Sequence, residues 1–311
     1  MKKSISLTLI LLLLSVLTVS AQNWHAVNFP VEENINGVSF VNIDTAFFIT
    51  GTGKLIRTFD NLNTYDIFEP TPGLPLEDVE FINSDIGYIC GPGGTVMRTN
   101  DGGYTFKNLN LTDTAAWFFD VEMFDNKHGM VIGMTRESAN PVQGLAFRTE
   151  DGGKSWDKVE NLGMGYSEII YSNGKVYLLA FGQISISDDM GKNWESKLTI
   201  NGAPGRTLSF YGKSGVIAGI GGMCAYSKDG GNIWMPSQQD ENQFFIASQM
   251  VSVNSGYIGG NNAKLLKTTD GGRTWSAELM AKYFDVYDMA LVENRVYVVG
   301  SLGGIIWKEV K

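Results

Sequence analysis

Short runs of β-branched and aromatic residues recur along the chain between turns rich in Gly, Asn and Asp. Phe245 to Val253 is one such run. Asn254-Ser255-Gly256 interrupts it and Tyr257-Ile258 opens a second. Gly259-Gly260-Asn261-Asn262 turns again, Lys264 to Lys267 forms a third, and an Asp-Gly-Gly turn leads to a fourth at Trp275. Four short strands joined by Gly/Asn turns predict an antiparallel meander rather than a βαβ unit. The same grammar returns at Asn83 to Tyr88 and Asp125 to Gly129 for the first turn. Gly91-Pro92-Gly93-Gly94 and Gly303-Gly304 fill the second. No segment after residue 21 holds a helical period, so the pattern predicts an all-β chain.

One eight-residue phrase punctuates this pattern. Thr268 to Trp275 reads TTDGGRTW, Thr99 to Phe106 reads TNDGGYTF, and Thr149 to Trp156 reads TEDGGKSW. Ser227 to Trp234 (SKDGGNIW) and Ser187 to Trp194 (SDDMGKNW) are variants, and Thr58 to Tyr65 (TFDNLNTY) has lost both glycines. The shared aspartates are Asp60, Asp101, Asp151, Asp189, Asp229 and Asp270, separated by 41, 50, 38, 40 and 41 residues. A period near 40 with four strands per unit predicts a β-propeller.

Second-strand signals number seven: Ala46-Phe47-Phe48, Tyr88-Ile89, Met130-Val131, Val176-Tyr177, Val216-Ile217, Tyr257-Ile258 and Val296-Tyr297. The chain stops soon after Trp307-Lys308-Glu309, before a seventh phrase could form. Trp24 to Phe29 is the natural donor of the missing outer strand. The expectation is a seven-bladed β-propeller of four-stranded antiparallel blades, its ring closed by the N-terminal strand, with no exposed sheet edge.

Residues 1–21 stand apart. Lys2 and Lys3, an apolar stretch from Leu7 to Leu17 and the small residues Val19-Ser20-Ala21 read as a secretory signal peptide. No cysteine follows that cleavage site, which argues against a lipid anchor. The reading assigns 1–21 as signal peptide and 22–311 as a single propeller domain, exported to the periplasm, the cell surface or the medium. Net charge is −9 for the whole sequence, and an acidic surface disfavours nucleic acid and anionic membranes. The two cysteines, Cys90 and Cys224, fall in repeats that a ring holds far apart, so free thiols are expected. With His25 and His128 as the only histidines, no metal-ligand cluster and no cofactor is expected.

The repeated aspartates suit turn-making. An Asp carboxylate can accept nearby backbone N–H groups while the Ser/Thr hydroxyl ties the hairpin from its other end. The six aspartates are therefore assigned as structural, not as calcium ligands. The phrase resembles the Asp box, or BNR repeat, of sialidases, sortilin-type receptors and xyloglucanases. The fuller pattern resembles the photosystem II stability/assembly factor family: a Gly-Tyr-Ile/Val-x-Gly strand, a Gly turn, then Lys/Arg-Thr-x-Asp-Gly-Gly-x-Thr-Trp. That resemblance implies a propeller acting as an assembly scaffold rather than an enzyme, with a basic patch meeting the partner. This acidic chain carries no such patch, so photosystem binding is not carried over.

A sialidase needs three convergent arginines to hold a carboxylate. Arg57, Arg98, Arg148 and Arg273 are tied to the boxes and Arg295 lies on the same face, which leaves only Arg136 and Arg206 on the other. A xyloglucanase cleft needs two propellers. No catalytic residues are assigned. The favoured function is a non-enzymatic scaffold for a protein or peptide partner. A carbohydrate-binding or sialidase-like hydrolase propeller is the alternative. The ligand-binding candidates on the non-box face are Trp117, Arg136, Tyr166, Arg206, Phe244 and Tyr283. Acidic residues expected there include Glu77, Asp78, Asp113, Glu168, Asp240, Glu241 and Asp285. The polar insertion Met134 to Leu145, which accounts for the step of 50, is a candidate recognition loop.

Overall fold

The computed structural model describes residues 23–112, 116–135, 143–160, 165–180, 182–199, 205–238 and 243–310. The leader at 1–21, Asp113, Asp240, Glu241 and the centre of the insertion, including Arg136, lie outside the described residues. Seven four-stranded antiparallel sheets follow one another around a ring. In blades 1 to 6 the strands succeed each other from the channel outward, as in blade 2: Asp78–Phe81, Gly87–Cys90, Val96–Thr99 and Lys107–Asn108. Each second strand coincides with one of the seven signals in the sequence.

Blade 7 takes its inner three strands from Val286–Val292, Arg295–Gly300 and Gly304–Glu309. Its fourth is His25–Ala26, paired antiparallel with Ile306 and Trp307. Trp24 plugs this closure. Its ring is 5% exposed, meets Tyr257 of blade 6 edge-on at 5.4 Å, and donates Nε1–H to Glu278 at 3.1 Å.

The core lies between blades, because each sheet is apolar on both faces. Tyr88, Cys90 and Val96 of blade 2 pack against Phe118, Val121, Val131 and Phe147 of blade 3. The second strands are buried almost throughout, as Ala46–Thr50 shows. Burial of this kind supplies about 1.5–3 kcal/mol per large apolar side chain. Cys90 and Cys224 are unpaired, as expected, and Cys224 is only partly buried.

All six boxes form one hydrogen-bonded turn. In blade 3, Thr149 Oγ1 donates to Asp151 and accepts the N–H of Gly153 at 2.9 Å. Asp151 in turn accepts the N–H groups of Lys154 and Ser155. The hydroxyl or amide of the next polar position also returns to the carboxylate in blades 1 to 4 and 6. The turn needs two left-handed residues. Gly152 and Gly153 adopt φ of 72° and 71°, and a Cβ on Gly153 would stand 2.6 Å from Tyr88. The worn box keeps the shape without glycine, since Asn61 and Leu62 sit at φ of 57° and 66°.

The boxes also bind blades to each other. Tyr88 donates to the carbonyl of Gly152 in the next blade, Tyr177 to Gly230, Arg57 to Gly102 and Arg148 to Met190. Arg57 is 1% exposed and is sandwiched under the Tyr104 ring at 3.6 Å. These arginines are structural parts of the box face.

Candidate functional site

The inner strands converge on a central channel of about 770 Å³. Six of them carry a β-bulge near their start, at the end away from the boxes, for example between Phe118 and Asp120 and between Gly205 and Thr207. A bulge re-aims one side chain and resets the alternation beyond it. The channel wall therefore has three layers. The mouth on the non-box face is made by the bulged residues, among them Phe119, Arg206 and Tyr287, with Glu77 of blade 2 beside them.

The second layer holds Asp78, Asp120, Glu168 and Asp288, and it stitches blade to blade. Asp78 accepts the N–H of Val121 at 2.9 Å, Asp120 that of Ile169 at 2.7 Å, Glu168 that of Leu208, and Asp288 that of Val38 at 2.9 Å. Thr207 and Ser248 join blades 5 and 6 through their hydroxyls. The third layer repeats the device. Ser39 takes the N–H of Phe81, Glu122 that of Tyr171, and Ser209 that of Met250. Glu80 lies in the same layer.

Six carboxyl groups thus face the channel below its mouth, and Arg206 is the only Lys or Arg lining it among the described residues. Burial raises all six from the ordinary carboxylate range. For Glu80 the charges of Glu122 and Asp78 add to burial, and for Asp120 those of Asp78 and Glu168 do. Asp78 is raised by burial against the hydrogen bond from Val121. Glu168 is pushed well up, Glu122 to about 8 and Asp288 to about 7. The box aspartates move the opposite way. Hydrogen bonds from Thr105, Ser155 and Asn193 hold Asp101, Asp151 and Asp189 at about 2. Asp60 is lowered by Thr64, and in Asp229 and Asp270 burial opposes a shift that the hydrogen bonds carry downward.

The candidates read from the sequence separate in this frame. Trp117 lies at the mouth, donating Nε1–H to Glu77 at 3.2 Å and tilting against Phe119 at 5.7 Å. Arg206 reaches the same mouth; burial raises the pKa of Glu77, and the Trp117 hydrogen bond and the Arg206 charge oppose that rise. Tyr283 is 67% exposed on the same face, and Phe244 is half-buried. Tyr166 is not available to a ligand. It is 4% exposed and packs between blades 3 and 4 with Ile132 and Ile169, because the residue opening this inner strand points into the blade stack. Arg136 lies outside the described residues. Asp285 immediately precedes the inner strand of blade 7 and accepts the N–H of Ala263 in a turn of blade 6.

Glu80, Asp120, Glu122 and Asp288 escaped the sequence reading. Their signal was an acid at alternate positions of an otherwise apolar strand, as in Asp78-Val79-Glu80-Phe81 and Asp120-Val121-Glu122-Met123. Among the described residues no group of three His, Cys, Asp or Glu side chains is placed to hold a metal ion.

Comparison with known proteins agrees with this architecture. The family model described as "Photosynthesis system II assembly factor YCF48" matches residues 68–197. "Photosystem II assembly lipoprotein Ycf48" of Synechococcus sp. (strain CC9902) is 23% identical, covering 93% of this chain and 89% of its own length. The protein of the same name from Trichormus variabilis is 24% identical over 74% of this chain and 82% of its own. Among solved structures, "YCF48 bound to D1 peptide" superposes with a TM-score of 0.74 at 18% identity, covering 93% of this chain and 96% of that one. YCF48 from Cyanidioschyzon merolae gives 0.73 at 14% identity, covering 92% and 99%. In repeat, blade count and overall path, this chain is an Asp-box β-propeller that resembles the photosystem II stability/assembly factor family.

Proposed function

We propose that this chain is an exported, non-enzymatic propeller that binds a peptide or protein segment over the non-box mouth of its channel and acts as an assembly scaffold. One observation carries the reading: Phe119, Glu77, Arg206 and Tyr287 line an open channel mouth, and Trp117 packs on Phe119 and donates to Glu77 beside it. Rigid aromatic area beside a few polar groups suits recognition of a peptide chain. A protein of the same fold has been solved with a peptide, D1, bound to it. The relatives are named as assembly lipoproteins, which accords with an exported location. Nothing about the acidic channel favours the photosystem partner itself.

The test uses the purified full chain as bait against an extract of the exported fraction of its host, with Trp117→Ala in parallel. One stoichiometric partner, retained by the parent and lost from the variant at unchanged melting temperature, supports the reading. Retention of a defined oligosaccharide on a glycan array, lost in Trp117→Ala, would replace it with the carbohydrate-binding alternative.

A further inference from the structure

Two polar groups in the channel lack the partners that their neighbours have. Ser39, Glu122 and Ser209, all in the third layer, each accept an N–H from the following blade. Glu80 holds the same register in blade 2 and accepts no hydrogen bond from a described residue. It is half-buried on the channel wall and faces the carboxyls of Asp78 and Glu122 instead. The second group is Arg206 at the mouth, whose Nε is buried with no acceptor.

A half-buried carboxyl held among other carboxyls is unfavourable unless it is neutralised or paired, and a buried donor without an acceptor is costly too. One ligand satisfies both only if it brings an acceptor to the mouth and a cation to the third layer. These positions are three residues apart along the strands, or about 10 Å at about 3.3 Å per residue. A bare metal ion offers no acceptor, and an anion that pairs with Arg206 meets the acids below it. A peptide has both parts, namely a main-chain carbonyl and a long basic side chain.

We infer that the channel receives a lysine or arginine side chain from a bound peptide segment. Its main chain lies across the mouth against Arg206 and Trp117, and its cationic end reaches Glu80 and Glu122. The inference rests on the peptide-binding reading above and names the chemistry of its partner. The groups facing that cation are Asp78, Glu80, Asp120, Glu122, Glu168 and Asp288, with Glu77, Tyr287 and Arg206, the single cation among the described residues, nearer the mouth. Because these carboxyls hold protons above the usual range, an incoming cation expels protons, and binding tightens as pH rises from about 6 to about 8.

Three pools of short peptides test this on the full chain. They are randomised around a central lysine, a central norleucine or a central glutamate. The expected result is enrichment of the lysine pool over norleucine by about tenfold or more, a difference of about 1.4 kcal/mol. The preference should fall to parity in Glu80→Gln and, separately, in Glu122→Gln. Proton release on binding should appear as a dependence of binding heat on the buffer's ionisation enthalpy. Glutamine keeps an acceptor at each site, and melting curves of both variants confirm that the ring is intact.

Equal retention of the lysine and norleucine pools overturns the inference and leaves the peptide-binding reading standing. Retention of no pool overturns both. Competition by spermidine alone, with no peptide preference, assigns the channel to a free polyamine and overturns the inference.

Discussion

The carboxyl of Asp288, in the last blade, accepts the backbone N–H of Val38, in the first, at 2.9 Å. This contact carries the channel stitching across the seam where the ring closes. In Asp288→Ala the buried N–H of Val38 loses its acceptor, which costs about 1–3 kcal/mol. Asp288→Asn keeps an acceptor oxygen and removes an acid that burial has raised to about 7. Urea midpoints at pH 8 should therefore rank Asn at or above the parent and Ala well below it.

Stability should also depend on pH in a definite direction. The channel carboxyls have folded pKa values above their unfolded ones, so the native state holds more protons than the unfolded chain. Their contribution is fully present below about pH 4, the unfolded value. It is lost as pH rises through the folded values, about 7 for Asp288 and about 8 for Glu122. The box aspartates, held at about 2 in Asp101, Asp151 and Asp189, act oppositely. Their contribution is present above about pH 4 and lost as pH falls toward 2. Melting temperature should peak in mild acid and decline toward pH 8.5. A profile that climbs steadily from pH 5 to 8.5 would refute the raised channel acids.

The boxes should prove mechanical. Thr149 is buried and its hydroxyl serves both Asp151 and the N–H of Gly153. Thr149→Val keeps the shape and strands the N–H, costing about 1–3 kcal/mol. Chelation with EDTA should leave the melting temperature of the parent unchanged. A drop on chelation would instead make the boxes ion sites.

Closure can be probed at Trp24. Trp24→Ala empties a buried site against Tyr257 and removes the donor to Glu278, and should cost about 3–5 kcal/mol. Deleting residues 23–29 goes further, exposing the strand Gly304–Glu309 as an open edge. Size-exclusion chromatography should then show dimers or larger species, while the point variant stays at the parent's elution volume.

The ring was legible because its parts repeat. Seven second strands and six boxes gave the blade count, and the Trp24 segment was the natural donor for the last sheet. The channel was not legible, because an acid within a strand reads as solvent-facing. Asp120 and Glu168 become channel residues only through the bulges that precede them, and no residue pattern marks a bulge. Tyr166 shows the converse error, an aromatic assigned to a surface that the bulge geometry turns inward. Trp117 and Arg206 come from blades 3 and 5, and only ring curvature brings them to one mouth.

The pairing of His25–Ala26 with Ile306 and Trp307 gives the fold a chronology. Six blades draw their strands from adjacent sequence and can form in the order in which the chain is made. The seventh must wait for the strand Gly304–Glu309, and until it arrives Trp24 has no outer sheet to seal. An emerging chain therefore carries an unfinished apolar flank until that strand is made. A carrier that keeps it extended works with this topology, because no closed ring exists to be reopened before the last strand is free.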